Sequence, residues 1–166
     1  MSYLDKRSRQ LEALEALAAL VKSAEGAAHV RLKGELSTWV AKQFGKEFEL
    51  KELAHLSGIR PDVLLWNSRD GYLFIGDAKN ADNESPGKQE TIQRIASYVD
   101  KFAELCRANK IKGGVIAIAT NDADEAANWL SALNRLATSA GLSLSDGSPP
   151  NFQIEHLNAQ TWIVWW

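Results

Sequence analysis

Residues 60–80 read RPDVLLWNSRDGYLFIGDAKN, and this stretch decides the fold class. Two β-rich apolar runs, VLLW and YLFI, flank the polar segment NSRDG, whose Asn, Asp and Gly are typical of turns. The pattern predicts a β-hairpin. Charged residues that a buried strand normally avoids lie at the open end of this hairpin. Asp62 precedes the first run, and Asp77 and Lys79 follow the second.

Side-chain alternation places these three charges on one face of the predicted hairpin. A turn at 69–70 pairs Asp62 with Asp77, whereas a turn at 70–71 pairs Asp62 with Lys79. Because side chains alternate along a strand and cross-strand partners share a face, both registers leave the three charges together. The opposite face is also apolar, so we expect the hairpin to be covered on both sides. It carries Val63, Leu65, Phe74 and Ala78.

Apolar periodicity predicts helices before and after the hairpin, and further strands. In chain order we expect a helix over 9–24, a second helix over 29–45, a short strand or helix over 47–55, a helix from Pro86 to Ala108, a buried strand over 113–120, a helix from Asn121 or Asp122 to near Gly141, and a terminal hairpin. This order predicts an α/β sandwich with a mixed central β-sheet flanked by helices.

The length of 166 residues and the hydrophobic content of 45% predict a single domain over 1–166. It has an N-terminal helical extension over about 1–27 and a C-terminal β-hairpin over about 152–166. The leucine stripe of the first helix is expected to lie in the core, with self-association as the alternative. The clustered tryptophans Trp162, Trp165 and Trp166 are expected to pack in the core or at a dimer seam, with base stacking as the alternative.

Composition restricts the compartment and the mode of binding. The single Cys106 excludes a disulfide framework within the chain and indicates a reducing compartment, so we expect a cytoplasmic protein. The first 20 residues mix charges with alanines and leucines, so no signal peptide is expected. No stretch reaches about 18 uncharged apolar residues, and no membrane contact is expected. With a net charge of −2, any nucleic-acid binding must come from a local patch or a bound metal.

The sequence Pro61-Asp62, followed by Asp77-Ala78-Lys79 on the adjacent strand, resembles the signature of the PD-(D/E)xK nuclease superfamily. The resemblance implies a restriction-endonuclease-like fold with core order α-β-β-β-α-β, which residues 30–120 supply in order. It implies a metal-dependent nuclease that hydrolyses phosphodiester bonds, in DNA more than in RNA, in restriction, repair or defence. Specificity would then have to come from loops, a partner subunit or a homodimer.

Further residues of this chain match the family unevenly. Glu35 lies where many members carry an acidic residue on the first core helix, and Gln89 or Gln93 corresponds to a polar residue that some subgroups add after the lysine. The Gln-to-Tyr spacing of one exonuclease subgroup is not met, because Gln93 and Tyr98 are five residues apart.

The chemistry of these residues suits a Mg²⁺ site, in which Mn²⁺ can substitute. Mg²⁺ prefers hard oxygen ligands, and Asp62, Asp77 and the backbone carbonyl of Ala78 form a suitable half-shell. The ammonium of Lys79 would orient the attacking water or stabilise charge on the phosphorus. Glu35 would complete the shell or recruit a second metal.

Each assignment has a structural alternative. For Asp62, Asp77 and Lys79 the alternative is a structural ion pair at a strand edge. For Glu35 the alternative is a solvated position on the helix. The alternative for Gln89 and Gln93 is an exposed position on the helix without a role in the site. The histidines His29, His55 and His156 share no metal-ligand spacing and are expected to be structural or surface residues. A non-catalytic binding or assembly module of the same fold is the alternative function.

Overall fold

The computed structural model describes residues 3–44, 51–52, 59–67, 69–143, 147–148 and 150–166. Its elements are, in chain order, α1 (Tyr3–Phe44), β1 (Lys51–Glu52), β2 (Val63–Asn67), β3 (Tyr72–Lys79), α2 (Gln89–Arg107), β4 (Gly113–Thr120), α3 (Ala123–Ser139), β5 (Gln153–Asn158) and β6 (Thr161–Trp165). The predicted α/β class is therefore confirmed.

The strands form one six-stranded sheet in the order β1-β2-β3-β4-β6-β5. Strands β3 and β4 are parallel, and the other neighbouring pairs are antiparallel. The sheet is mixed, as predicted. Helix α2 connects the two parallel strands, which cannot be joined by a tight turn.

Apolar cores cover both faces of the sheet, which explains why β3 and β4 are nearly continuous apolar runs. One core joins α2 and α3 to the face of β3 that carries Leu73 and Ile75. The other joins α1 to the face that carries Phe74 and Ala78. Helix α1 contributes to it the buried side chains of Leu32, Leu36, Trp39 and Val40.

The predicted hairpin forms in the first of the two registers considered. Val63 pairs with Gly76 and Asn67 with Tyr72, which places Asp62 opposite Asp77. Asn67 stabilises the turn because its buried side-chain oxygen accepts hydrogen bonds from the backbone N–H of Arg69 and of Asp70 at 3.0 and 3.2 Å.

The two helices predicted over 9–24 and 29–45 are one continuous helix, α1, of 42 residues. No proline separates the two patterns, and a single exposed glycine, Gly26, is insufficient to end a helix. The prediction that its leucine stripe lies in the core was wrong for the side chains that the structure describes. Leu11, Leu14 and Leu17 are 54%, 62% and 58% exposed. Periodicity showed an amphipathic helix but not which of its turns lie over the sheet.

Smaller differences concern element ends. Helix α2 begins at Gln89 rather than Pro86, because residues 80–88 form successive turns in which Glu84 N–H donates to Asn80 O and Lys88 N–H to Ser85 O. Of the segment 47–55, Lys51–Glu52 is a strand and the remaining residues lie outside those described. Helix α3 and the terminal hairpin lie where expected.

All three clustered tryptophans are partly buried and pack against the cores, as predicted. The ring of Trp165 contacts that of Trp39 with 5.2 Å between centroids, and the ring of Trp166 lies 5.7 Å from that of Phe102. Trp162 stacks on His156 at 4.6 Å. Among the described residues, no helix has the length and apolar character needed to cross a bilayer.

The continuity of α1 can be tested at Gly26. An added Cβ at this position meets no atom within 4 Å. Because alanine favours helix over glycine, Gly26→Ala should raise helix content and stabilise the protein by about 0.5–1 kcal/mol, measured by circular dichroism and thermal melting. Gly114→Ala is the opposite control, because its Cβ would lie 1.9 Å from Leu73 O and should destabilise the sheet. A destabilising Gly26→Ala substitution would contradict a continuous helix.

Candidate active site

The charges singled out in the sequence lie together at the carboxyl end of β3. Asp77 and Lys79 share the face of Leu73 and Ile75, which pack in the core of α2 and α3. The two charged side chains are nevertheless buried, with only 4% and 2% of their surface exposed. Burial of a charge is costly unless partners compensate it, so the contacts of each group define this site.

Asp62 and Asp77 are held by reciprocal hydrogen bonds to the backbone of the opposite strand. Asp77 Oδ1 accepts from the backbone N–H of Asp62 at 2.8 Å. Asp62 Oδ2 accepts from the backbone N–H of Ala78, also at 2.8 Å. The two carboxylates thus extend the β2–β3 ladder by one step beyond the last backbone pair. This arrangement fixes both carboxylates side by side.

Lys79 is the cation of the site. Its Nζ lies 2.7 Å from Asp77 Oδ2 and 3.1 Å from Glu84 Oε2. Burial lowers the pKa of the Lys79 ammonium, but the carboxylates of Asp77 and Glu84 outweigh this and leave that pKa above its usual value. Lys79 therefore stays charged, with two carboxylates as its described partners.

His29 joins the site from α1, although the sequence analysis assigned it to structural or surface positions. Its Nε2 lies 3.1 Å from Asp62 Oδ1, and its Nδ1 lies 3.4 Å from Glu84 Oε1. The five side chains of Asp62, His29, Glu84, Lys79 and Asp77 form a continuous cluster, which we call the charge cluster. No spacing in the sequence relates His29 to Asp62, because the contact depends on how α1 crosses the sheet. His55 lies outside the described residues.

Tyr98 of α2 forms a hydrogen bond to the backbone of the segment that precedes Asp62. Its hydroxyl donates a hydrogen bond to Arg60 O at 3.1 Å. Burial raises the pKa of Tyr98, the Asp77 carboxylate adds to this, and the Arg94 guanidinium opposes it. The hydroxyl therefore keeps its proton and remains a donor.

The two aspartates differ in their tendency to ionise. Burial raises the pKa of Asp77 to about 7, with a further contribution from the neighbouring Asp62, and the ammonium of Lys79 only partly opposes this. Burial also acts to raise the pKa of Asp62, but hydrogen bonds from Asp77, from Ala78 N–H and from His29 leave it below the usual value. Two adjacent carboxylates of unequal pKa are typical of functional sites.

The remaining predicted residues are placed as follows. Glu35 Oε1 accepts a hydrogen bond from Asn158 at 3.2 Å, and its described contacts do not include Asp62 or Asp77. A metal-binding role for Glu35 stays a prediction. Gln89, at the start of α2, lines the same cavity as Lys79, whereas Gln93 is exposed and is not among the residues that line it.

The chemistry of the two aspartates fits a hard cation, since the buried Asp77 and the half-buried Asp62 are oxygen donors fixed next to each other. Their four oxygens are engaged by Asp62 N–H, Ala78 N–H, Lys79 and His29. Within the described residues, no group of three or more His, Cys, Asp or Glu side chains is arranged to hold a metal ion. A metal site therefore rests on the two aspartates and remains a proposal.

Comparison of this chain with protein-family models, with curated proteins and with solved structures gave no match. The function must accordingly be argued from the charge cluster itself.

The raised pKa of Asp77 has a consequence for stability. In the folded protein the Asp77 carboxyl keeps its proton up to about pH 7, whereas an aspartate in the unfolded chain releases its proton at about pH 4. Between these values the folded state binds more protons, so the free energy of unfolding should fall as pH rises, by up to roughly 1.4 kcal/mol per pH unit. Asp77→Asn should flatten this slope.

Urea unfolding in EDTA at several pH values measures the effect without bound metal. Asp82→Asn is the matched control, because Asp82 is exposed in the following loop, and it should keep the parental slope. Equal slopes for the parent and Asp77→Asn would contradict the assignment of the raised pKa to Asp77.

Proposed function

We propose that this protein is a metal-dependent nuclease that hydrolyses phosphodiester bonds, most readily in DNA. The observation that carries the proposal is the fixed pair Asp62 and Asp77 with the ammonium of Lys79 at 2.7 Å from Asp77. Phosphoryl transfer needs a hard cation and a fixed positive group near the phosphate oxygens, and this cluster offers oxygen donors and an ammonium side by side.

The order of elements supports the finer assignment of the fold. From α1 to β4 the chain runs helix, strand, strand, strand, helix, strand, which is the core order of the PD-(D/E)xK superfamily. Asp62 precedes β2 and Asp77 and Lys79 end β3, as the resemblance implies. The restriction-endonuclease-like fold is therefore part of the proposal.

In this proposal Asp62 and Asp77, with the carbonyl of Ala78, hold Mg²⁺ or Mn²⁺. A bound divalent cation would neutralise charge on the phosphate and lower the pKa of a water ligand. It would also offset the cost of keeping two carboxylates adjacent in a buried site. The reciprocal bonds to the backbone keep the two aspartates in place before any ligand arrives.

Lys79 stabilises the negative charge that develops on the reacting phosphate or orients the attacking water. Glu84 and His29 act as positioning residues. Glu84 holds the Lys79 ammonium at 3.1 Å, and His29 holds Asp62 at 3.1 Å. Substrate specificity would come from surrounding loops, a second copy of the chain or a partner subunit.

A non-catalytic binding or assembly module is the second candidate. The observation that favours it is that Lys79 is already paired with two carboxylates, as in a purely structural ion-pair cluster. The two candidates differ in whether the cluster responds to divalent metal.

The proposal predicts metal-dependent cleavage. The purified protein is incubated with linear, circular and branched DNA and with RNA, in Mg²⁺, Mn²⁺ or EDTA. We expect cleavage of DNA in either metal and none in EDTA, because the aspartates then lack the cation. If no substrate is cut and calorimetry detects no divalent ion, the binding module replaces the nuclease.

Substitutions of Asp77 and Lys79 separate a catalytic from a structural cluster. Asp77→Ala removes a proposed metal ligand, so Mn²⁺ affinity and cleavage should both fall. Lys79→Ala removes a cation beside the site, so Mn²⁺ affinity should stay equal or rise while the cleavage rate falls by about 10²- to 10³-fold. Mn²⁺ affinity, melting temperature and cleavage rate are measured for both.

A structural ion pair predicts another result, in which both substitutions lower the melting temperature similarly and neither selectively changes chemistry. Lys101→Ala is the matched control for loss of a lysine, because the half-buried Lys101 has its one described ion pair with the exposed Glu104, away from the charge cluster. A folded Lys79→Ala protein that cleaves at the parental rate would exclude the role proposed for Lys79.

A further inference from the structure

A cavity of about 410 Å³ opens beside the charge cluster. Lys79 lines it from the buried side, and the loop after β3 and the first turns of α2 form the rest of its wall. Glu84, Lys88, Gln89 and Arg94 are among the lining residues. The cavity therefore adjoins Lys79, the cation that the proposed function places next to the reacting phosphate.

The charged side chains that line this cavity range from buried to exposed. Lys79 is buried, and its charge is opposed by Asp77 and Glu84. The cations Lys88 and Arg94 are exposed at the mouth, together with the acidic Glu90. The Nζ of Lys88 donates to the backbone oxygen of Asn83 at 2.7 Å, which holds this ammonium over the loop, and Arg94 acts electrostatically on Tyr98 beside the cluster.

The wall also offers neutral hydrogen-bond donors. The side-chain amide of Gln89 and the hydroxyl of Thr91 line the cavity together with the two outer cations. Ammonium, guanidinium and amide donors around a polar opening suit phosphate oxygens rather than an apolar ligand. Since the whole chain carries a net charge of −2, attraction of a polyanion must come from such a local group.

We propose that this cavity binds a backbone phosphate of a single nucleic-acid strand, next to the phosphate that reacts at Lys79. Lys88 and Arg94 provide the two cationic contacts, and Gln89 provides a neutral one. The choice of nucleic acid as the ligand class rests on the proposed nuclease function. Glu84 and Glu90 have the opposite effect, because these two acidic residues also line the cavity and their carboxylates repel an incoming phosphate.

Salt-dependent binding tests this assignment without requiring cleavage. The probe is fluorescein-labelled dodecathymidylate, and its fluorescence anisotropy is followed in EDTA over a range of salt concentrations. Each phosphate contact contributes about 0.7 to the slope of log K against log salt for a single strand. We expect Lys88→Ala and Arg94→Ala each to reduce the slope by about 0.7 and to weaken binding about fivefold at about 0.1 M salt.

Two control variants are included, one that removes a positive charge outside the cavity and one that removes a negative charge inside it. Lys101→Ala removes the same charge from α2 outside the cavity and should keep the parental slope. Glu84→Gln removes a negative charge from the cavity and should strengthen binding. Oligouridylate of equal length should show the same slope changes, because a backbone phosphate is common to DNA and RNA. Circular dichroism confirms that each variant is folded.

The outcomes separate this inference from the proposed function. Reduced slopes for Lys88→Ala and Arg94→Ala, with no cleavage in Mg²⁺ or Mn²⁺ and no divalent ion detected by calorimetry, would keep the phosphate site and exclude the nuclease. Cleavage by the parent with unchanged slopes in both variants would keep the nuclease and overturn the phosphate site. Failure of the parent to bind the probe in EDTA would also overturn it.

Discussion

The structure depends on the exchange of hydrogen bonds between the Asp62 and Asp77 carboxylates and the backbone of the facing strand, each at 2.8 Å. The bonds join the start of β2 to the end of β3 where the regular ladder stops. They also hold the buried Asp77 next to the half-buried Asp62, which requires compensating cations and donors. Lys79 and His29 meet this requirement, and Glu84 links them.

Much of this arrangement was accessible from the sequence. Turn chemistry and alternation determined the hairpin, and parity alone placed Asp62, Asp77 and Lys79 on one face in either register. The α/β class followed from the order of apolar patterns. These inferences succeeded because they depend on local spacing, which the chain carries explicitly.

The remaining features depend on how distant elements pack. His29 and Glu84 are separated by 55 positions in the chain, and only the crossing of α1 over the sheet brings them together. The same packing leaves Leu11, Leu14 and Leu17 of α1 exposed, because the turns from Leu32 to Val40 already cover the sheet. Periodicity identifies an apolar stripe but not its partner. For Glu35, position on a helix likewise did not predict its contact with Asn158.

The topology of the sheet also determines when its strands can pair as the chain is synthesised. Strand β3 is completed at Lys79, but its parallel neighbour β4 ends at Thr120, and β4 in turn pairs with β6, which spans Thr161–Trp165. On the ribosome, a chain that already contains every residue of the charge cluster still lacks β4, β5 and β6, which complete the sheet. Since non-local pairing is slow to form, we expect the cluster to become rigid only after β4 and β6 have been synthesised.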